Sequence, residues 1–344
     1  MHPFKLTLAY MMLACCFGFA PGPRHARRAR LAAPVSREAE SNAASEPLRI
    51  AVIRSPWLNQ IGQGTQVETL LTSWFGAPHV IDLPGSEAAS NDADLACLLR
   101  DDGAPRFSVL VVPGGNDRKL WRSVADAPRA RAHLREFVAR GGGYVGICAG
   151  MCLASRGYWD VEGRLPAARA ERERTEFAHF PGLFPAELLN LHRLRRVGLA
   201  WNDGLAPSHP MRAALPADGA ELRGARFNDG NAVDAPPPPG TELLLRYTRD
   251  EPWGGVETDS HGAVDVDPAL HGSLGGRWAS VAYVDPENPT AGRLCLDGWH
   301  PESVHTPHCH AWLRAAVGYA GLRWSEVHSG AVEGAGADTG REVV

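Results

Sequence analysis

Cys148 lies in Gly146-Ile147-Cys148-Ala149-Gly150, a cysteine with a glycine two residues to either side. This is the G-x-C-x-G form of a nucleophile elbow, where the reactive side chain sits on a sharp strand-to-helix turn. Side chains at the flanking positions would meet neighbouring backbone. A helix opening just after the sulfur would turn its positive dipole end toward it, which favours a thiolate. The chemistry this points to is attack of a sulfur anion on a carbonyl carbon. A thiol needs a base, and the base needs an orienting group. His300-Pro301-Glu302 supplies an imidazole and a carboxylate on one turn that the proline stiffens. By itself the stretch around Cys148 is equally compatible with a buried structural cysteine. The His-x-Glu pair weighs toward catalysis.

An oxyanion needs donors. The backbone N–H of Ala149 is one candidate, and Gly115 in Pro113-Gly114-Gly115-Asn116-Asp117 can turn a second into the cleft. Asn116 and Asn228 are candidate substrate-binding residues, although polar loop residues such as these and Asp117 also stabilise turns. Cys152, one helical turn after Cys148, is either a resolving thiol or small core filling. His300, His305, His308, Cys309 and His310 crowd together. Their spacing points them in different directions on a helix, and no zinc-ligand motif accompanies them. Neither a metal nor a cofactor is expected. Trp57, Trp121, Trp159 and Trp299 are candidate pocket walls, with core packing the simpler role.

The elements that must position these residues follow from periodicity. Strands are expected at 48–53, 79–82, 107–112, 143–147 and 293–297, alternating with helices at 65–75, 92–100 and 128–140, the last capped by Asp126. That alternation specifies a mostly parallel sheet with helices on both faces, an α/β flavodoxin-like architecture. Ligands in such sheets bind beyond the carboxyl ends of the strands, where both Gly114-Gly115 and Cys148 fall. The stretch 156–240 is less regular. It holds a strand at 197–201 and, at Arg226-Phe227-Asn228-Asp229-Gly230, the composition of a hairpin turn. Strands are further expected at 242–247 and 279–284, an exposed loop at 250–276, and a final helix at 308–319.

Residues 1–20 read as a signal peptide-like leader, with Lys5 ahead of an apolar run too short to span a membrane comfortably. Residues 21–47 form an Arg/Ala-rich linker or transit-like segment. The folded domain is expected at 48–325, with a disordered tail at 326–344. The leader implies the secretory pathway or the extracellular space. The alternatives are a plastid, reached by leader plus transit-like segment, or a bacterial lipoprotein through Met12-Leu13-Ala14-Cys15. Two of the seven cysteines, Cys15 and Cys16, lie in the leader, which leaves an odd number and no disulfide framework. A net charge of −4 carries no basic excess for nucleic acid. No membrane association is expected beyond the leader, and a homodimer is compatible with the sequence.

Four blocks together carry a resemblance. Val112-Pro113-Gly114-Gly115-Asn116-Asp117, Gly142 to Gly150, Phe227-Asn228-Asp229-Gly230 and Gly298-Trp299-His300-Pro301-Glu302 occur in the order seen in proteins similar to the N-terminal domain of biotin-protein ligase. These proteins belong to the class I glutamine amidotransferase-like superfamily. The resemblance covers roughly residues 48–320. It implies a flavodoxin-like fold and, by superfamily analogy, a Cys148, His300, Glu302 triad. It does not imply biotin ligase activity: there is no Gly/Arg-rich biotinyl-adenylate loop, and no room for a ligase domain is expected after residue 320. The related PfpI-like proteins place a glutamate after the first strand. Here Arg54-Ser55-Pro56 stands in that place, which favours the His-x-Glu arrangement.

The leading expectation is a cysteine-dependent hydrolase or amidotransferase acting on the C–N bond of a small amide-type substrate through a thioester. The alternatives are a non-catalytic small-molecule binding module on the same fold, and a thiol redox or stress protein using Cys148 with Cys152.

Overall fold

Ile50 to Ile53, Val109 to Val112 and Leu294 to Leu296 are apolar at every position, and all of these residues are buried. A strand that hides both of its faces belongs inside a parallel sheet with a layer on each side. The computed structural model describes residues 47–55, 63–83, 95–115, 124, 127–160, 180–216, 221–233, 236–251, 276–303 and 306–333. The strands are β1 (Ile50–Arg54), β2 (His79–Asp82), β3 (Val109–Val112), β4 (Gly143–Ile147), β5 (Gly157–Asp160), β6 (Glu187–Trp201), β7 (Leu222–Val233), β8 (Thr241–Glu251), β9 (Trp278–Tyr283) and β10 (Leu294–Asp297). The helices are α1 (Gln63–Phe75), α2 (Pro128–Ala139), α3 (Ala149–Ala154) and α4 (Pro307–Glu333). All described residues fall within the unit Ser45–Val344.

The sheet runs β2-β1-β3-β4-β10-β9-β7-β6-β5, with β8 pairing β6 and β9. From β2 to β10 every neighbour is parallel, the order of a doubly wound flavodoxin-like fold. β9 turns antiparallel against β10 and opens an antiparallel extension built from β6, β7, β8 and β9. β5 joins its far edge parallel to β6. Alternate residues of each core strand face opposite sides. Ala51, Leu110 and Leu296 join the cluster that includes Leu134 and Phe137 of α2. Ile50, Val109 and Cys295 join the one that includes Leu71 of α1 and Trp312 of α4.

α2 starts at Pro128 with Ala127 at its N-cap and no side-chain cap bond. The expected cap, Asp126, lies outside the described residues. The helix expected at 92–100 is, where described, a single 3-10 turn at Leu95–Leu98. Those four residues bury Leu95 and Leu98, and one tight turn suffices for that. The expected hairpin turn at 226–230 is not a turn. These residues run through the middle of β7, paired with β6. Asn-Asp-Gly has turn composition, but Gly230 is there for another reason: a Cβ on it would run into the carbonyl oxygen of Gly298. α4 extends to Glu333, into the stretch whose composition reads as a tail. The expected loop at 250–276 lies almost wholly outside the described residues, as does the leader. Among the described residues no helix is long and apolar enough to cross a membrane.

Candidate active site

Three adjacent parallel strands deliver the site. β3 leads to Gly114-Gly115, β4 to Cys148, and β10 through Gly298-Trp299 to His300 and Glu302. Cys148 has φ 49° and ψ −103°. It is the one non-glycine residue with positive φ among the described residues. Such a conformation costs about 1–3 kcal/mol and persists only where its surroundings over-determine it. Here they do. The Cys148 N–H donates to the Asp297 carbonyl at 2.7 Å. The Cys148 carbonyl accepts from the Cys152 N–H at 3.0 Å and from Asn231 Nδ2 at 3.0 Å. Gly150 is required by the turn, because a Cβ there would collide with the Val112 carbonyl oxygen on β3.

His300 comes from a segment fixed on both sides. The His300 N–H donates to the Arg226 carbonyl at 2.9 Å, and the Asn231 N–H donates to the Gly298 carbonyl at 3.0 Å. β7 therefore holds the chain that carries the imidazole. His300 Nδ1 lies 2.9 Å from Glu302 Oε1, and both side chains are buried. The ring is also hydrogen-bonded to the Cys148 side chain. With Nδ1 engaged by Glu302, Nε2 is the nitrogen left for the sulfur. Gly114 leaves the space the imidazole occupies: a Cβ on it would press on the ring edge and on Cys148 Cβ.

Burial is the largest influence on the His300 pKa and pushes it down. The charge of Cys148, then that of Glu302, and hydrogen bonds to both outweigh it, so His300 is held well above the ordinary imidazole value. The site is therefore arranged to favour an imidazolium, with Cys148 and Glu302 as the groups that raise its pKa. A second carboxyl lies behind it. Asp297, at the end of β10, is buried and pushed up to about 6, chiefly by burial. Its Oδ1 accepts from Ser280 Oγ at 2.5 Å and Trp312 Nε1 at 3.0 Å. Trp299 Nε1 donates to the same Ser280 hydroxyl at 2.9 Å.

The structure brings Cys148, His300 and Glu302 together and puts Gly115 and Ala149 just beyond the carboxyl ends of β3 and β4. Asn116, Asp117, Trp57 and Trp121 lie outside the described residues. Asn228 lies on β7, opposite Leu194. Trp299 is fully buried and tied to Ser280, so it is core. Cys152 belongs to the cluster under α2 and Cys148 to the one on the opposite face. The Cys152 thiol donates to Asn231 Oδ1 at 3.1 Å. Of the histidine cluster, His308 is exposed, Cys309 is buried, and His310 lies against Trp74. Arg54 is engaged by Glu68 at 2.6 Å. Asn231 and Asp297 were missed in the sequence. Asn231 becomes visible once 222–233 is read as a strand: the alternation then turns Asn231 and Phe227 inward. Asp297 ends a strand that the sequence did show, and its type at the end of an apolar run is the signal.

The family described as biotin-protein ligase, N terminal, matches residues 89–184, a span that includes Cys148 but not His300 or Glu302. No curated protein sequence matches the chain. Among solved structures, one titled glutamine amidotransferase shares 14% identity at a TM-score of 0.42, covering 78% of this chain and 98% of that one. A Thermoplasma acidophilum protein described as part of a GMP synthase shares 14% at 0.45, covering 83% and 98%. The glutaminase domain of Trypanosoma brucei CTPS, solved with bound acivicin, shares 14% at 0.40, covering 78% and 93%. Over residues 89–184 the chain thus resembles the family described as biotin-protein ligase, N terminal.

Proposed function

We propose that this protein is a cysteine-dependent hydrolase or amidotransferase acting on a C–N bond. The observation that carries this reading is the buried His300–Glu302 pair at 2.9 Å, hydrogen-bonded onto a cysteine held at φ 49°. The Cys148 sulfur attacks the carbonyl carbon of a small amide-type substrate and forms a C–S bond. The oxyanion meets the Ala149 and Gly115 amides. The tetrahedral intermediate collapses as the C–N bond breaks, with the His300 proton going to the leaving amine. Water, or a second amine, then attacks the thioester while neutral His300 takes its proton, and the sulfur leaves as the thiolate. Glu302 holds the ring orientation throughout and stabilises its charged form. Asn116 and Asn228 are proposed to bind the substrate.

Site-resolved alkylation of Cys148 by iodoacetamide tests the reading. His300→Ala is expected to slow alkylation at pH 7 by about tenfold or more. Equal rates in the two proteins, or a Cys148 inert in both, would overturn it.

A further inference from the structure

Asn231 is fully buried and belongs to the antiparallel extension, away from the three strands that carry the triad. It nevertheless touches both halves of the site. Its Nδ2 donates to the Cys148 carbonyl at 3.0 Å. Its backbone N–H donates at 3.0 Å to Gly298, two residues before His300. Its carbonyl accepts from the Tyr247 hydroxyl at 2.8 Å. The bond from the Cys152 N–H to the Cys148 carbonyl forms wherever α3 forms. The bond from Asn231 comes from a remote strand, so it is the one that fixes the direction of the Cys148 carbonyl, and hence ψ, relative to β10.

The two ends of the Asn231 amide are not equivalent. The Cys152 thiol donates to Oδ1 at 3.1 Å, which leaves Nδ2 for the Cys148 carbonyl. A flipped amide would set oxygen against oxygen on one side and leave the thiol donor facing an NH2 group on the other. The cysteine four residues after the nucleophile thus has a use that requires no redox chemistry.

We propose that Asn231, oriented by the Cys152 thiol, is a positioning residue that gauges the separation of nucleophile and base. It holds the elbow of Cys148 through its side chain and the His300 segment through its backbone. The proposal rests on Cys148 and His300 forming the reactive pair.

The test is the pH profile of Cys148 alkylation by iodoacetamide in the full chain, read beside thermal unfolding. Asn231→Asp keeps the volume and removes the donor. It is expected to slow alkylation at pH 7 by about tenfold and to give the profile of His300→Ala. Cys152→Ala should move the profile in the same direction, and Cys152→Ser, which keeps a donor, should restore it. Tyr247→Phe removes the hydroxyl that donates to the Asn231 carbonyl and leaves the Asn231 side chain as it is, and should lower the melting temperature without moving the profile. A His300-dependent profile that survives Asn231→Asp overturns this inference alone. So does a Tyr247→Phe shift as large as that of Asn231→Asp. A profile that His300→Ala leaves unchanged overturns the reactive pair itself. Should Asn231→Asp fail to fold, the Cys152 pair decides: equal profiles for Ala and Ser count against the proposal.

Discussion

At the scale of single residues the site is an exercise in keeping one buried cation. An imidazole without partners would lose its proton on burial, because desolvation disfavours the charged form. His300 keeps its proton because Cys148 and Glu302 oppose that effect. A raised folded-state pKa means that the imidazolium persists above the ordinary value of 6.5. The stability it contributes is fully present below that value and is lost as pH rises through the folded one. ¹⁵N NMR of the ring should therefore show a protonated His300 at pH 7.5 in the wild type. Cys148→Ala removes the larger raising influence and should bring the titration down, and Glu302→Gln should bring it down by less. A neutral ring in the wild type at pH 7.5, or a titration that neither variant moves, would show that Cys148 and Glu302 do not set the charge of His300. The residues of this pair were legible from type and spacing. Asn231 was not, since its role depends on a strand that the local composition disguises.

At the scale of elements, the strands with continuous apolar runs were legible, because burial on both faces leaves no other reading for four or five apolar residues bounded by turns. The antiparallel extension was much less so. β6 carries Arg193, Arg195 and Arg196 in its middle and shifts register between Leu191 and Leu194 and again between Val197 and Leu199. No simple period of two survives that. The end of β10 joins three elements: Asp297 receives Ser280 from β9 and Trp312 from α4. Its carboxyl, raised from 3.8 to about 6, binds a proton in the folded state that the unfolded chain gives up. Its stabilising contribution is thus complete below about pH 4 and lost as pH rises through about 6, worth roughly 3 kcal/mol for two pH units. Wild-type stability in urea should accordingly fall from pH 5 to pH 7 relative to Asp297→Asn, which cannot ionise. Parallel pH profiles for the two proteins would mean that Asp297 is ionised at all these values.

At the scale of the whole molecule, one sheet serves two cores. Each central strand sends alternate side chains to opposite faces, so Leu110 packs in the cluster under α2 while its neighbours Val109 and Val111 pack in the one that includes residues of α1 and α4. Neither face can lose its packing without loosening strands that the other face needs, and the candidate site sits at the ends of those same strands. The two faces should therefore unfold as one unit. Phe137, fully buried on α2, offers a local perturbation. Phe137→Ala leaves a cavity whose cost is typically about 3–5 kcal/mol. Slow-exchanging amides of α4 between Trp312 and Ala320, across the sheet from the substitution, should lose protection by about 100-fold or more, matching the loss in α2. Hydrogen exchange that changes in α2 alone would mean that the faces open separately. The elbow would then owe its shape to the packing of α3 and the extension, and not to the cooperativity of the sheet.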